Sequence, residues 1–431
     1  MIKVYLLIFL LFFSGCSLNS KSKFWTESTE IKIEKKNTTI LFQNKTIKNK
    51  EFNKNFKIDT QNLKINDDFN LLTNHHGIQK FNREINKKSR FRFSKIKNFN
   101  YFETDLVFDG RNFIFFDNKG NIIKFDRNFR IIWKKNFYSK QEKKFDLILS
   151  MYSQNNLLIV FDNIGKYYAI NGNSGDLIWS KNNTFPFNSQ IKIFDEKVYA
   201  VDLNNILRCF SIKNGKELWN YKSENTFLKS TKRNSLIILN DLVYFNNSLG
   251  DIISVNAQNG NLQQYIPTQS SAIYENAFSL NMSDLVADKD NLISSNNRNE
   301  FYSINHKNGV LRWKQEINSS VRPIFFENFI FTISNEGYFF VLDRNNGNIL
   351  RITDIFDVFN YKKRKKIKPV GFIAGTNFLL LSTNNGKVLT INIGDGKTKS
   401  ILKIHNNKIS KPFVFEKEVL IIKDNSIIRL N

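Results

Sequence analysis

A 15-residue segment recurs along the chain, and its period constrains the fold more than any other feature of the sequence. In one copy, Gly165 is the first residue, Gly175 lies ten positions later and Trp179 is the last. Copies with the same spacing occupy residues 205–219, 250–264, 299–313, 337–351 and 386–400, with a copy one residue shorter at 120–133 and an incomplete one from residue 425. Successive copies begin 38 to 49 residues apart, about 44 on average, which is the period of a β-propeller blade.

Each copy has the pattern of short antiparallel strands joined by tight turns. Around Gly165 the predicted elements are strands at 157–161, 167–170, 177–179 and 190–194, with turns at 163–165 and 171–175. Glycine supplies the positive φ of the first turn, and the Asn-rich second turn tolerates the left-handed region. The sequence therefore predicts an all-β fold: an eight-bladed β-propeller of four-stranded antiparallel blades over residues 61–431.

The eighth copy lacks its outer strands, which predicts how the ring closes. A repeat array has to cover or pair its terminal edges, and a propeller does so by closing on itself. We therefore expect the missing outer strands of the last blade to come from upstream of Asn112, within residues 81–101.

Tryptophans occupy the last position of several copies. Four of the five in the chain lie there: Trp133, Trp179, Trp219 and Trp313. A large aromatic side chain at a fixed position in successive units fits packing between neighbouring blades, and the alternative is a stacking platform for a ligand. Gln264, Arg351 and Ser400 hold this position in other copies, where we expect weaker contacts between blades.

The first 16 residues have the pattern of an export signal. Lys3 precedes an apolar run at residues 4–13, which as a helix would be roughly 15 Å long and too short to cross the ~30 Å hydrocarbon core. Residues 13–16, ending at Cys16, resemble the lipobox of bacterial lipoproteins, whose cysteine carries palmitate and becomes the mature N-terminus. Ser17 resembles the residue that follows this cysteine in lipoproteins sent to the outer membrane.

This pattern predicts three regions. We expect a signal peptide at residues 1–15, a flexible lipid-anchored tether at 16–60 and the propeller at 61–431. An ordinary signal peptide or short anchor with an incidental Cys16 is the alternative. Cys209 has no partner if Cys16 is lipidated, and its apolar surroundings indicate a small buried hydrophobe rather than a reactive thiol.

The net positive charge of the chain is large, but the rest of the sequence limits the kinds of ligand that it can indicate. Lys and Arg number 64 against 39 Asp and Glu, a formal net charge of +25, which by itself favours a nucleic-acid ligand. Export makes nucleic acid an unsuitable ligand. The one dense basic run, at residues 362–368, fits contact with an acidic partner or anionic lipid head groups, or else a solvated loop.

No catalytic or metal-binding pattern stands out. His75 and His76 are adjacent, so on a strand they would point to opposite faces, and no Cys, Asp or Glu spacing joins them to His306 or His405. The Asp and Asn residues of the repeat turns fit capping of the turns. We therefore expect no metal, no cofactor and no catalytic residue.

The repeat resembles that of quinoprotein-type propellers over roughly residues 105–431. Two functional families share it: membrane-bound quinoprotein dehydrogenases and the BamB lipoproteins of the outer-membrane β-barrel assembly (BAM) complex. The lipobox, the eight copies and the last strand at residues 427–431 resemble the BamB family. That resemblance implies a non-catalytic scaffold, held at the periplasmic face of the outer membrane by lipid on Cys16. Its implied partners are the periplasmic domains of BamA, other BAM subunits and unfolded outer-membrane proteins.

The same resemblance implies a partner-binding patch on loops between the middle blades. The family's Leu-x-Leu-Arg segment lines up with residues 227–233, and its acidic pair lines up with residues 280–284. The candidate partner contacts are therefore Leu228, Lys229, Lys232, Arg233 and Asp284. Ordinary solvated loops are the alternative.

Two other functions stay open. Dehydrogenases of this architecture that use pyrroloquinoline quinone share a vicinal cysteine pair over the cofactor, a tryptophan beneath it, and acidic and Asn ligands for calcium. This sequence has no adjacent cysteines, and every tryptophan except Trp25 lies in the repeat position. A quinoprotein dehydrogenase and a lipoprotein propeller that binds another envelope partner are the alternatives to the BamB-type scaffold.

Overall fold

The computed structural model of the chain describes residues 50–61, 70–81, 85–224, 232–268 and 280–430. These ranges contain 32 β-strands in eight four-stranded antiparallel sheets, one short helix, α1 (Tyr361–Arg364), and single 3-10 turns at Phe99–Tyr101 and Glu142–Lys144. The sheets are the blades of an eight-bladed β-propeller, which confirms the predicted fold.

Each of the first seven blades consists of four consecutive strands, numbered from the central channel outward. Blade 1 contains β2 (Val107–Asp109), β3 (Asn112–Phe116), β4 (Ile122–Phe125) and β5 (Ile131–Lys135); blade 2 contains β6 (Leu149–Gln154), β7 (Leu157–Asp162), β8 (Lys166–Asn171) and β9 (Leu177–Asn182). Blade 3 contains β10 (Lys192–Phe194), β11 (Lys197–Val201), β12 (Ile206–Ser211) and β13 (Glu217–Lys222); blade 4 contains β14 (Leu236–Leu239), β15 (Leu242–Asn246), β16 (Ile252–Asn256) and β17 (Leu262–Ile266).

The second half of the ring follows the same plan. Blade 5 contains β18 (Val286–Ala287), β19 (Leu292–Ser295), β20 (Phe301–Ile304) and β21 (Leu311–Gln315); blade 6 contains β22 (Ile324–Phe326), β23 (Phe329–Ile333), β24 (Tyr338–Asp343) and β25 (Ile349–Asp354). Blade 7 contains β26 (Pro369–Ala374), β27 (Phe378–Thr383), β28 (Lys387–Asn392) and β29 (Thr398–Lys403).

Blade 8 joins the two ends of the propeller. It contains β30 (Phe413–Phe415), β31 (Glu418–Lys423), β32 (Ser426–Leu430) and, as its outermost strand, β1 (Lys87–Arg92). β1 pairs antiparallel with β32, from Lys87 opposite Leu430 to Arg92 opposite Ser426. The predicted closure from residues 81–101 is thus confirmed, and one strand suffices because the C-terminal residues supply the other three.

The first position of the repeat lies in the tight turn between the second and third strands of a blade. Gly165 has φ +90° there, and Asn205 occupies the equivalent turn with φ +59°. The strands on either side are almost entirely buried, as in β7 and β8. The turn residue therefore fixes the register of two strands that carry the core.

The last position of the repeat lies between adjacent blades. A Cβ atom added to Gly175 of blade 2 would lie 2.8 Å from Cδ2 of Trp133 in blade 1, and one added to Gly260 of blade 4 would lie 2.5 Å from Cε3 of Trp219 in blade 3. The indole Nε1 of Trp133 also donates to the carbonyl of Gly172 at 3.0 Å. The structure thus places each of these indoles on the turn of the following blade.

The described part of the predicted tether, residues 50–60, lies against blades 6 and 7. Phe52 pairs with Ile352 of β25, and the amide of Ile58 donates to the carbonyl of Gly394 at 3.1 Å. The side chain of Ile58 is buried in the same apolar cluster as strands of both blades. The boundary between tether and propeller at residue 60 stays a prediction.

Within the described ranges, no helix has the length and apolar character needed to span a membrane. The described ranges contain one cysteine, Cys209 of β12, which is buried and free. Burial raises the pKa of its thiol to about 12, in keeping with the small buried hydrophobe that the sequence predicts.

Candidate functional site

Residues 70–81, here called the channel segment, lie in the central channel against the innermost strands of successive blades. The carbonyl of Leu72 accepts from the amide of Ile238 in blade 4 at 2.9 Å, and that of Thr73 accepts from Ala287 in blade 5 at 3.0 Å. Further along, the amide of Gln79 donates to Ala374 in blade 7 at 2.7 Å. The segment therefore bonds to the inner edges of the sheets.

Asn74 is the central residue of the channel segment. It has φ +57°, and its buried amide group donates to Gln190 Oε1 at 2.9 Å, to Ser235 Oγ at 3.2 Å and to the carbonyl of Leu285 at 2.9 Å. Its Oδ1 accepts from Lys192 Nζ at 2.7 Å. One side chain thus ties the segment to blades 3, 4 and 5.

A cavity of about 370 Å³ lies beside the channel segment and is lined by residues from or next to the innermost strands of the ring. Its walls include apolar side chains such as Met151, Phe372 and Phe413. Charged side chains come mainly from the residues that immediately precede the innermost strands. This division gives the cavity apolar walls and a charged region.

The charged region, here called the charged cluster, holds more cations than anions. Its members in the cavity lining are Lys192, Lys232, Arg233, Arg322, Lys408 and Lys411, with Glu103, Asp105 and Asp284. They belong to blades 1, 3, 4, 5, 6 and 8. Closing the ring therefore brings together charges that are far apart in sequence.

Asp105 joins cations from two blades. It forms an ion pair with Arg233, and its Oδ1 lies 2.8 Å from Lys411 Nζ. Although burial alone would raise the pKa of Asp105, attraction to Arg233 and Lys411 holds it well below its ordinary value. The same attraction raises the pKa of Arg233 against the effect of burial. Both groups are charged at neutral pH.

Asp284 forms the second ion pair of the cluster. Arg322 Nε donates to its Oδ2 at 2.7 Å, and the same guanidinium contacts His76 of the channel segment. Burial opposes ionisation of Asp284, but the charge of Arg322 holds its pKa well below the ordinary value. Burial and the neighbouring Arg322 lower the pKa of His76 well below its usual range, so His76 is neutral at pH 7.

Burial lowers the pKa of three lysines of the cluster. Burial, followed by repulsion from Arg322, lowers the pKa of Lys192 to about 7. Burial also lowers the pKa of Lys411, with a contribution from Arg322, and that of Lys408, with a contribution from Lys232. Burial is therefore the main cause of these shifts, and neighbouring cations add to it.

The structure brings three of the predicted partner contacts into this cluster. The side chains of Lys232 and Arg233 are 12% and 11% exposed, and that of Asp284 is 6% exposed. Lys232 Nζ donates to the carbonyls of Met282 at 2.6 Å and Ser320 at 2.8 Å. The other predicted sites, Leu228, Lys229 and the lipidation site Cys16, lie outside the described residues.

Sequence reasoning missed the remaining members of the cluster. Asp105 and Arg322 each lie 15 residues before the first position of their own repeat copy, as the predicted Asp284 also does, and Lys192 and Lys411 lie one or two residues from that offset. A charged residue at this offset, directly before or at the start of an apolar strand, was the sequence signal that could have indicated the members of the cluster. Nothing in the sequence indicated that the channel segment lies beside them.

The basic run at residues 362–368 lies in the connection between β25 of blade 6 and β26 of blade 7, and most of it is exposed. It includes α1, whose first turn is capped by the Asn360 side chain, and Arg364 forms an ion pair with Asp354 at the end of β25. Tyr361 is 71% exposed, and Lys365 lies over its ring. Among the described residues, no group of three or more His, Cys, Asp and Glu side chains is arranged to hold a metal ion.

Comparison with solved structures identifies the class of protein. BamB from Moraxella catarrhalis is similar, with a TM-score of 0.66 and 12% identity over 81% of this chain and 100% of that chain. A quinohemoprotein alcohol dehydrogenase from Comamonas testosteroni has a TM-score of 0.61 and 8% identity, over 83% of this chain and 78% of that chain. Sqt1 from Saccharomyces cerevisiae has a TM-score of 0.60 and 11% identity, over 79% of this chain and 99% of that chain. At these identities the likeness shows the fold alone: a β-propeller shared by scaffolds and enzymes.

The sequence defines the family more narrowly. Residues 118–353, more than half of the chain, match the family model of the outer membrane protein assembly factor BamB. The chain therefore belongs to the BamB family, which confirms the resemblance drawn from the lipobox, the eight copies and the last strand. Among curated proteins, none matches the sequence significantly.

Proposed function

We propose that this protein is a non-catalytic scaffold of outer-membrane β-barrel assembly, anchored by lipid on Cys16 at the periplasmic face of the outer membrane. The observation that carries this proposal is the match to the BamB family over residues 118–353 on a closed eight-bladed ring. The proposed partners are the periplasmic domains of BamA, other BAM subunits and unfolded outer-membrane proteins. Leu228, Lys229, Lys232, Arg233 and Asp284 are the proposed contact region.

The geometry of the contact region suggests how it would act. Lys232, Arg233 and Asp284 form ion pairs and hydrogen bonds with neighbouring blades, so their positions are fixed by the ring. Leu228 and Lys229 lie shortly before Lys232 in the sequence and outside the described residues. In this proposal Leu228 and Lys229 contact the partner directly, and the three buried charged residues stabilise the blades beside them.

The similarity to quinohemoprotein dehydrogenases raises a second candidate function, which the cavity residues do not support. The resemblance to quinoproteins implies a vicinal cysteine pair and a tryptophan beside the cofactor. The cavity lining contains neither residue type, and Cys209 lies in the third strand of blade 3, away from the lining. The residues of the cavity therefore do not fit a quinone site.

Crosslinking followed by affinity capture from envelope membranes tests the proposed function. We expect BamA among the captured proteins when the wild-type chain is the bait, and we expect Cys16→Ser to release the chain from membranes into the periplasmic fraction. Capture of a different envelope protein without BamA would disprove the assembly role. Membrane fractionation unchanged by Cys16→Ser would disprove the anchor.

A further inference from the structure

The charged cluster carries an excess of three positive charges when its six cationic side chains are protonated and its three carboxylates are ionised. All three carboxylates are already counted in this excess: Asp105 pairs with Arg233 and Lys411, Asp284 pairs with Arg322, and Glu103 lies 3.5 Å from Lys232 and from Arg233. Burying like charges together is costly unless counter-charges accompany them. The chain itself supplies too few counter-charges within the described ranges.

The ammonium groups are held in fixed positions by neutral acceptors. Lys408 Nζ donates to the carbonyls of Asn100 at 3.2 Å and Phe102 at 3.1 Å. Lys192 Nζ donates to Asn74 Oδ1 and to the carbonyl of Leu71. A lysine ammonium has three N–H donors, so neutral oxygens orient each group without cancelling its charge.

The cavity next to these groups has the size and character of a ligand site. Its volume of about 370 Å³ falls in the range of small-molecule pockets, which typically have apolar walls and a few oriented polar groups. The channel segment forms part of its boundary through Leu71, Asn74 and His76. Fixed cations facing such a space strongly favour an anion.

We propose that the charged cluster at the central channel is a binding site for a multivalent oxyanion, such as a group of the phosphate or sulfate class. Lys192 and Lys411 are the residues that we expect to contribute most, because the Lys192 ammonium donates to neutral oxygens and Lys411 shares the single charge of Asp105 with Arg233. The site shares Lys232, Arg233 and Asp284 with the proposed contact region, so its ligand is tested on the purified chain without BamA.

Sulfate is the probe that tests this site most simply, because it is a dianion throughout the neutral pH range. In calorimetric titrations and thermal unfolding of the purified chain, we expect saturable binding of sulfate that chloride at equal ionic strength does not reproduce. Lys192→Met and Lys411→Met should each weaken sulfate binding by about tenfold, because each removes one charged donor. Lys362→Met is the matched control, since Lys362 is exposed, and it should change the affinity by less than about twofold.

The pH dependence gives a test that requires no variant. A bound dianion favours protonated Lys192, so sulfate affinity should be highest below pH 7 and fall as the pH rises above it, by up to about tenfold per pH unit. The charged or titratable groups facing Lys192 are Arg322, Asp284, Arg233, Asp105 and His76. The proposal is wrong if sulfate acts no differently from chloride, if all three variants bind sulfate equally, or if the wild-type affinity does not change between pH 6 and pH 8.5.

Discussion

Arg351 of blade 6 occupies the repeat position that holds tryptophan in four other blades. Its side chain is buried, and its guanidinium donates to the carbonyls of Phe56 at 3.1 Å, Gly394 at 2.5 Å and Ile393 at 2.9 Å. A tryptophan at this position makes a single hydrogen bond of the same kind: Trp179 Nε1 donates to the carbonyl of Ile212 at 3.0 Å. Arg351 therefore joins blade 6 to blade 7 by hydrogen bonds and also holds the segment at residues 50–61.

We predict that Arg351→Met destabilises the protein by about 2–4 kcal/mol, because it leaves buried carbonyls without donors. The midpoint of urea unfolding measures this change, and limited proteolysis should cut within residues 50–61 faster than in the wild type. Arg312→Met is the control, since Arg312 is exposed on β21, and its effect should be within about 0.5 kcal/mol. Equal midpoints for the two variants would show that Arg351 does not hold the blades together.

At the scale of elements, the turn between the third and fourth strands connects one blade to the blade before it. In blade 3 a Cβ atom on Gly215 would lie 2.6 Å from Cε3 of Trp179, whereas in blade 5 a Cβ atom on Gly309 would lie 3.5 Å from its nearest neighbour, Ile266. Both glycines have similar backbone angles, with φ +68° and +72°. They differ mainly in whether a tryptophan packs on the turn.

This difference predicts unequal effects of the same substitution. Gly215→Ala and Gly309→Ala share a left-handed strain of about 1–2 kcal/mol, but only Gly215→Ala also displaces an indole, at an added cost of about 1–3 kcal/mol. Thermal unfolding of the two variants measures the difference directly. If both lowered the melting temperature equally, the tryptophan would not be the contact that makes the turn glycine necessary.

The elements were largely predictable from the sequence, and the site was not. Each blade repeats a turn residue and a packing residue at fixed spacing, so Gly165, Asn205 and Trp179 indicate strands and turns by local rules. The channel segment has no repeat, and its carbonyls bond to strands more than a hundred residues away. Lys192 and Asp105 look like isolated charges in sequence, because only the closed ring brings them together.

At the scale of the whole molecule, β1 makes the propeller a closed ring rather than an open array. Its pairing with β32 places Ser89 opposite Arg429 and Arg90 opposite Ile428. Phe91 of β1 also packs on Phe125 of blade 1, with ring centroids 4.3 Å apart. The N-terminal strand thus pairs with the C-terminal strand and contacts the neighbouring blade.

The register of this closure can be tested with paired cysteines in a chain that also carries Cys16→Ser and Cys209→Ser. We predict that Ser89→Cys with Arg429→Cys forms an intramolecular disulfide, because directly opposed residues share one face of the sheet. Arg90→Cys with Arg429→Cys is the control, since a shift of one residue points the side chain to the other face. Mobility on non-reducing gels measures the crosslink, and equal crosslinking of both pairs would contradict this register.

A binding measurement with purified components tests whether the propeller is a scaffold for the barrel-assembly subunit BamA. Titration of Cys16→Ser chain into the isolated periplasmic domains of BamA should give saturable binding with a dissociation constant of about 1 μM or tighter. Leu228→Asp should weaken this binding by at least about tenfold, whereas Lys181→Met, at an exposed position on the outermost strand of blade 2, should leave it unchanged. Absence of saturable binding at concentrations up to about 100 μM would contradict the account.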